Sequence, residues 1–344
     1  MKVKALDVFP VREGRSGRSY VLLKVSTDQG LVGWGESSAI TPAALAKARA
    51  LAVGQEPFRY DYLTRQLAGE AVGAALNMAL LDLAGQEAKV PVFQLLGGPT
   101  RNKVRAMCPL LAVEQREALQ ALGHRAFSVP IHLPKGIMSR PALLSLIAKQ
   151  FADLRKAAGD KVDFAADGQS LLPSAEAADI AVALEAYRPL FLDRPTRESN
   201  NEVLSRISAE STTPLGLGHS FTDVSPIQNL LRDGIVDVVR MDLHKLGITP
   251  LRRAAALAET YYVAIAPFHT GGPVATAAAK HLAASLPNFF IQELPAVLER
   301  EERQLRDALV GGSVETVSDG YLSLSTKPGL GIQVDEALLR RMTA

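Results

Sequence analysis

Apolar and polar positions repeat in two different ways along this chain. In the first hundred residues, segments 3–10 and 19–27 alternate apolar and polar side chains, and a similar segment begins at residue 31. Alternation with a period of two predicts β-strands that have one buried face. Segments 43–52 and 71–89 are rich in alanine and leucine and predict helices. Three strands followed by helices are typical of a small α+β domain.

The pattern changes after residue 103, where short apolar runs alternate with helical segments. Such runs indicate a parallel sheet buried on both faces, and eight strand–helix units predict a closed barrel. The predicted strands are residues 104–111, 126–132, 162–167, 189–193, 214–219, 236–242, 262–267 and 289–293. The predicted α/β fold is a modified TIM (β/α)-barrel over residues 106–310. An α+β capping domain over residues 1–105 covers it, and a C-terminal tail, 311–344, returns to that domain.

Composition narrows the choice of partners. Lys and Arg number 38 and Asp and Glu number 36, so a formal net charge of +2 gives no general attraction to nucleic acid or to an anionic membrane. The single cysteine, Cys108, cannot form an intrachain disulfide, and the chain shows neither a signal-peptide core nor a run of roughly 20 apolar residues. We therefore expect a cytoplasmic protein that acts on a small molecule.

Ionisable side chains collect where the predicted strands end. Asp167, Asp193, His219, Asp242 and His269 follow five successive strands at intervals of about one strand–helix unit. In a (β/α)-barrel the chemistry lies at the carboxyl ends of the strands, so these groups are expected to converge on one mouth.

Four stretches resemble a known family. They are residues 21–36 (VLLKVSTDQGLVGWGE), 75–98 (ALNMALLDLAGQEAKVPVFQLLGG), 278–293 (AAKHLAASLPNFFIQE) and 328–331 (PGLG). They resemble the enolase superfamily, in its mandelate racemase/muconate lactonizing branch. The resemblance implies a capping domain over a modified barrel. It also implies a divalent ion, Mg²⁺, held by three carboxylates, and removal of the proton α to a substrate carboxylate.

The resemblance carries a metal role onto Asp167, Asp193 and His219, but the set is altered. Asp193 stands in an Asp-Arg-Pro run where the family usually has Glu-Glu-Pro, and His219 replaces the third carboxylate. An imidazole shifts metal preference from Mg²⁺ toward Zn²⁺ or Mn²⁺. The alternative is a metal-free site in which the carboxylates pair with arginine or backbone N–H groups. Arg194 either supplies the missing positive charge or, by strand alternation, faces away from Asp193.

The remaining site residues follow from the same resemblance. Asp242 and His269 are expected to form the dyad that acts as general base, although the family's histidine is expected at Phe268. If the strand has not ended there, Phe268 faces the mouth instead and His269 lies on the rim. Ser128 stands where the family has a lysine. Ser128, His132 and Gln169 are the expected substrate-binding residues.

The predicted function is dehydration or epimerisation of a small hydroxy-carboxylate, a sugar acid, by a lyase or isomerase that forms a homo-oligomer. The altered positions favour two alternatives: a degenerate, non-catalytic binding or regulatory member, and a metal-free enzyme with altered chemistry. In the capping loop, Arg15 and Arg18 either meet the substrate anion or lie in solvent.

Overall fold

The capping domain begins with a three-stranded antiparallel sheet. The computed structural model describes residues 1–136, 138–197 and 200–342. Strands β1 (Val3–Arg12), β2 (Ser19–Thr27) and β3 (Val32–Ser37) pair in that order. Helices follow, namely α1 (Pro42–Ala52), α2 (Tyr60–Arg65), α3 (Ala71–Ala88) and α4 (Val92–Leu95), with a 3-10 turn at Pro57–Arg59.

Helix α3 lies directly on this sheet because β3 carries two glycines. A Cβ atom on Gly35 would lie 1.8 Å from the carbonyl oxygen of Ala75, and one on Gly33 would lie 2.2 Å from that of Ala79. Only hydrogen fits at either position, so the backbones of the helix and the strand come into contact. Most of α3 is buried, which explains why its sequence is apolar on every side.

The barrel follows as parallel strands alternating with helices. Its strands are β4 (Lys103–Pro109), β5 (Ala126–Pro130), β6 (Asp163–Asp167), β7 (Leu192–Asp193), β8 (Leu215–Leu217), β9 (Val238–Val239), β10 (Ala264–Ile265) and β11 (Gln292–Glu293). Its helices are α5 (Arg116–Ala121), α6 (Arg140–Ala158), α7 (Ala177–Leu184), α8 (Asn201–Glu210), α9 (Ser225–Arg232), α10 (Leu243–Leu246), α11 (Ile248–Glu259), α12 (Pro273–Ser285) and α13 (Arg300–Val310). Short 3-10 turns lie at Val113–Gln115 and Glu185–Tyr187.

The sheet closes on itself. Strands β4 to β10 pair in sequence order, β11 pairs with β4, and single bridges from Ile265 to Phe289 and from Phe268 to Glu293 join β10 to β11. The lower interior is packed with apolar side chains, namely Met107, Ala126, Ala165, Phe191, Val238, Ala266 and Ile291. The barrel interior is therefore a filled core, as is usual for this architecture.

The C-terminal tail contacts both units. Strand β12 (Val317–Ser318) forms a hairpin with β13 (Tyr321–Ser323), and β13 pairs antiparallel with β4 of the barrel. Further on, the backbone N–H of Leu330 donates to Asp82 of α3 at 2.8 Å, and helix α14 (Glu336–Met342) packs on β1.

The predicted fold class is confirmed: a TIM-like α/β barrel carries an N-terminal α+β cap. The predicted domain boundaries stay a prediction, and the last two residues of the predicted tail, 343 and 344, lie outside the described residues. Within the described ranges, every helix is too short or too polar to span a bilayer.

Candidate active site at the barrel mouth

The mouth is the end of the barrel where the strands finish. Residues alternate between the two faces of a strand, so Asp167 and Asp193, the last residues of β6 and β7, point to the same inner side as Ala165 and Phe191. Their Cα atoms are paired directly across the two strands. The predicted convergence of these two carboxylates is what the strand register produces.

Asp167 is held by an arginine. Arg194 makes a two-pronged ion pair with it, through Nε to Oδ1 at 3.1 Å and through Nη2 to Oδ2, and the backbone N–H of Gln169 also donates to Oδ1 at 2.8 Å. Arg194 reaches the mouth because its backbone is left-handed, with φ +44°. That conformation ends the alternation of β7, so the sequence argument that turned Arg194 away from Asp193 was wrong.

Asp193 is the centre of a second, deeper group. Its Oδ2 atom accepts from His219 Nε2 at 2.9 Å and from Arg240 Nε at 3.0 Å. Arg240 is fully buried, and its remaining nitrogens donate to the Ala266 carbonyl at 2.6 Å and to Glu293. Burial alone would raise the pKa of Asp193, but the charges of Arg240 and then His219 outweigh it and hold that pKa well below its ordinary value. Asp193 is therefore ionised.

The ring of His219 is fixed on two sides. Asp193 binds Nε2, and Phe268 stacks on the imidazole with ring centroids 4.0 Å apart and an interplanar angle of 24°. The His219 side chain is 14% exposed, so it faces the open part of the mouth. The structure thus contains a His–Asp pair, formed by two residues for which the sequence predicted a metal role.

The predicted metal triad is not formed. Among residues 1–136, 138–197 and 200–342, no group of three or more His, Cys, Asp or Glu side chains is placed to hold a metal ion. The physical reason is that the donor atoms are already engaged: Arg194 occupies both oxygens of Asp167, and His219 Nε2 faces Asp193. One oxygen, Asp193 Oδ1, has no hydrogen-bond partner among the described residues, but a single buried donor does not make a metal site.

The predicted dyad of Asp242 and His269 is also not formed. Asp242 Oδ1 accepts from the backbone N–H of His244 at 2.8 Å and caps α10, while His269 Nε2 lies 3.2 Å from Thr276 Oγ1. A bridge from Asp242 to Phe268 shows that strand pairing continues to residue 268. Alternation therefore turns Phe268 into the mouth and His269 outward. Burial, together with the charge of His244, lowers the pKa of His269 well below its ordinary value.

Behind His269 lies a second cluster of charges, which we name the cap clamp. It consists of Glu13, Arg18, Glu302, Arg306 and Glu315. Arg306 binds Glu13 and makes two bonds to Glu315 at 2.6 and 2.7 Å, while Arg18 Nη1 donates to Glu13 at 2.8 Å. These contacts tie the loop between β1 and β2 to the barrel and the tail. Arg18 is thus paired with carboxylates of the clamp while 17% of its side chain stays exposed, and Arg15 is exposed; substrate contact by either residue stays a prediction.

The three predicted substrate-binding residues occupy different surroundings. Ser128 is buried within β5. Gln169 is exposed beside Asp167, with a left-handed backbone of φ +53°. His132 lines a groove with Leu146 and Gln150 of α6 on the outer wall. Substrate contact by these residues stays a prediction, and the place of His132 beside α6 argues against it.

Sequence reasoning missed Arg240 and Glu293. A signal was present, because Val238, Arg240 and Asp242 share one face of a strand by the period of two, and a lone arginine in an apolar run must have a buried partner. Glu293 ends the eighth predicted strand in the same way that Asp167 ends the third. A charge count along the inner face would have found both residues.

A closed barrel with a cap and a polar mouth defines this chain as a barrel of the enolase type, and comparison with known proteins agrees. Residues 111–338 match the family "Enolase C-terminal domain-like", and residues 10–97 match "Mandelate racemase / muconate lactonizing enzyme, N-terminal domain". The chain belongs to the enolase superfamily, in the mandelate racemase/muconate lactonizing enzyme branch.

Individual relatives agree with this. The chain is 31% identical to a D-galactonate dehydratase of Ralstonia pickettii, covering 93% of this chain and 90% of the relative. It is 29% identical to one from Pectobacterium atrosepticum, with the same coverage. These relatives place the chain among enzymes, in the lyase or isomerase class, and favour this over the non-catalytic alternative.

Solved structures share the whole architecture. An enolase from Agrobacterium radiobacter, provisionally assigned as a galactarate dehydratase and containing Na and L-malate, has a TM-score of 0.88 at 28% identity and covers 100% of this chain and 95% of its own. A mandelate racemase/muconate lactonizing enzyme-like protein from Roseovarius sp. TM1035 has a TM-score of 0.86 at 28% identity, with coverage of 99% and 95%. Members of this superfamily typically use Mg²⁺, whereas the donor atoms at this mouth are bound to arginines.

Proposed function

We propose that the chain is a lyase or isomerase that removes the α-proton of a sugar acid, with His219 as the base and Asp193 as the group that orients it. The observation that carries the proposal is the His219–Asp193 hydrogen bond of 2.9 Å at the partly open mouth. The names of the dehydratase relatives support a sugar acid such as D-galactonate as the substrate class.

The geometry suits proton transfer. When Nε2 donates its proton to ionised Asp193, the basic lone pair of His219 is on Nδ1. Asp193 then stabilises the imidazolium that forms, and Phe268 keeps the ring from rotating. Positive charge on the same wall, at Arg194, favours the negative charge that develops on the substrate carboxylate.

The reaction balances without an added oxidant or reductant. The Cα–H bond breaks, its proton passes to Nδ1, and its electron pair moves into the carboxylate to give an enediolate. The β-hydroxyl then leaves as water with the proton that His219 took from Cα, which restores the neutral imidazole, and the resulting enol tautomerises to a 2-keto acid. Epimerisation would need a second proton donor on the opposite face of Cα, so the single base His219 favours dehydration.

The test is exchange of the α-proton in D₂O, followed by NMR with a panel of acid sugars that includes D-galactonate. We expect exchange with at least one member, and His219→Asn should slow it by about 10²-fold or more, the usual contribution of a general base. The matched control is His269→Asn, which changes the histidine that faces outward and should keep the exchange rate. Exchange that survives in His219→Asn, or that is lost only in His269→Asn, contradicts the assignment.

A further inference from the structure

We propose that Arg194 is the carboxylate-binding group of this mouth and takes the place of the family's divalent ion, so that the chain binds its substrate without a divalent metal. The inference rests on the proposed function for one point only, that the ligand is a small carboxylate.

The first argument is that the positions of the family's ligands are closed by arginine. Both oxygens of Asp167 face the guanidinium of Arg194, and Asp193 Oδ2 is shared between Arg240 and His219. An ion bound by these groups would have to displace Arg194 from a two-pronged, charge-assisted pair. Two guanidinium groups, Arg194 and Arg240, pair with the carboxylates of the mouth, Asp167, Asp193 and Glu293, so most of the negative charge that would hold a cation is already offset.

The second argument is the orientation of Arg194. Its left-handed backbone, φ +44°, turns the side chain into the mouth, and Pro195 follows it at once. The side chain is 31% exposed although it is fixed by Asp167. Asp167 engages the edge formed by Nε and Nη2, and Nη1 makes no hydrogen bond to any residue that the structure describes. A guanidinium has five N–H donors in a rigid plane, so its second edge can bind another carboxylate.

The third argument separates Arg194 from Arg240. Arg240 is fully buried, and each of its three nitrogens is engaged, by Asp193, the Ala266 carbonyl and Glu293. It has no edge left for a ligand and forms the floor of the mouth. Arg194 is the exposed member of the pair, and Asp167 is its positioning residue.

The test is calorimetric titration of the full chain with L-malate and with D-galactonate, once in EDTA and once with added Mg²⁺. We expect at least one of these acids to bind in EDTA, with a Kd that Mg²⁺ changes by less than about twofold. Arg194→Met should weaken binding by about 10- to 150-fold, the usual range for a hydrogen bond to a charged group. Arg194→Lys should fall between, because it keeps the charge but loses the fork.

The matched control is Arg188→Met. Arg188 precedes the same strand, is exposed, and also has a left-handed backbone, with φ +49°, but it lies at the opposite end of the strand from the mouth. The Arg188→Met variant should bind both acids with the same Kd as the unchanged protein. The melting temperature of each variant, measured without ligand, separates a loss of binding from a loss of folding.

Several results would overturn the proposal. These are binding that requires Mg²⁺ or Mn²⁺, a metal alone that raises the melting temperature of the unchanged protein, affinity that Arg194→Met leaves intact, and no binding of either acid in EDTA. Failure of the proposed reaction gives a different result. Binding in EDTA that depends on Arg194, without α-proton exchange, supports Arg194 as the carboxylate-binding group and rejects the proposed chemistry. Exchange that needs Mg²⁺ and survives Arg194→Met keeps the chemistry and rejects Arg194.

Discussion

The barrel mouth and the cap clamp are both dense in paired charges, but the central pair of the clamp, Arg306 and Glu13, is much more deeply buried than the pair of Arg194 and Asp167 in the mouth. In the mouth, Arg194 and His219 are 31% and 14% exposed. In the clamp, the side chains of Arg306 and Glu13 are at most 1% exposed, and their bonds join three distant parts of the chain. A cluster of ionisable groups therefore does not by itself identify a functional site. The difference between Arg194 and Arg306 is that the fixed guanidinium of Arg194 keeps an exposed edge.

The largest expected effect is on the free energy of unfolding, and it compares the buried Arg306 of the clamp with the partly exposed Arg194 of the mouth. Arg306→Met leaves Glu315 without its cation and Glu13 with Arg18 alone, and should lower the free energy of unfolding by about 3–5 kcal/mol. Arg194→Met should lower it less, by about 1–3 kcal/mol, because Asp167 is buried but Arg194 is 31% exposed and Asp167 keeps the backbone N–H of Gln169. Chemical denaturation of both variants measures the difference. Equal losses would mean that the mouth is built as a structural ion pair like the clamp.

The second effect is on catalysis. Asp193→Asn should slow α-proton exchange by about 10²-fold, because an amide does not stabilise the imidazolium of His219. The loss should appear in kcat with little change in KM, since Asp193 acts through His219. Glu13→Gln in the clamp is the control, and it should lower the melting temperature while kcat stays unchanged. A fall in kcat for both variants would mean that the clamp also contributes to catalysis at the mouth.

The third effect is on the pH dependence of stability, to which His269 and His244 contribute with opposite signs. The pKa of His269 is lowered by burial and by His244, Arg306 and Arg18, so the unfolded chain takes up this proton first. Stability from His269 is present above about pH 6.5 and is lost as the pH falls toward its folded-state pKa. His269→Gln should remove up to about 1.4 kcal/mol per pH unit from the slope of unfolding free energy.

The pKa of His244 shifts the other way, because its bond to Glu36 outweighs the effect of burial. Its contribution is present below about pH 6.5 and is lost as the pH rises through the folded-state pKa. Because His244 is present in both proteins, its contribution to the pH dependence cancels when His269→Gln is compared with the unchanged protein. If the slope of unfolding free energy against pH is the same in His269→Gln as in the unchanged protein, His269 is charged in the folded state.

The smallest effect sets the baseline. Lys149 and Asp153 form a 2.6 Å pair on the exposed face of α6, with side chains 72% and 64% exposed. Lys149→Met should change the free energy of unfolding by less than about 0.5 kcal/mol and should leave exchange unchanged. A larger change would mean that exposed pairs in this chain are stronger than assumed, and would narrow the contrast between mouth and clamp.

Most of the fold was predictable because strand and helix periods are strong local signals. The predicted strand at residues 162–167 ends where β6 ends, and Asp167 and Asp193 face inward as alternation requires. The site failed at single residues. Arg194 has a left-handed backbone that periodicity does not reveal, and the barrel pairing extends to Phe268, which reversed the side on which His269 lies. One backbone torsion and one residue of strand length decided which groups share the mouth.

The side chain of Asp82 has a consequence for the order of events during synthesis. One of its oxygens accepts from Trp34 in the cap sheet, and the other from Leu330, which lies 248 residues further along the chain. A ribosome delivers the cap first and the tail last, so the cap must wait through translation of the whole barrel with this helix face uncovered. Closing so long a loop is a slow step. We therefore expect this face of the helix to stay accessible until the segment around Leu330 has been synthesised.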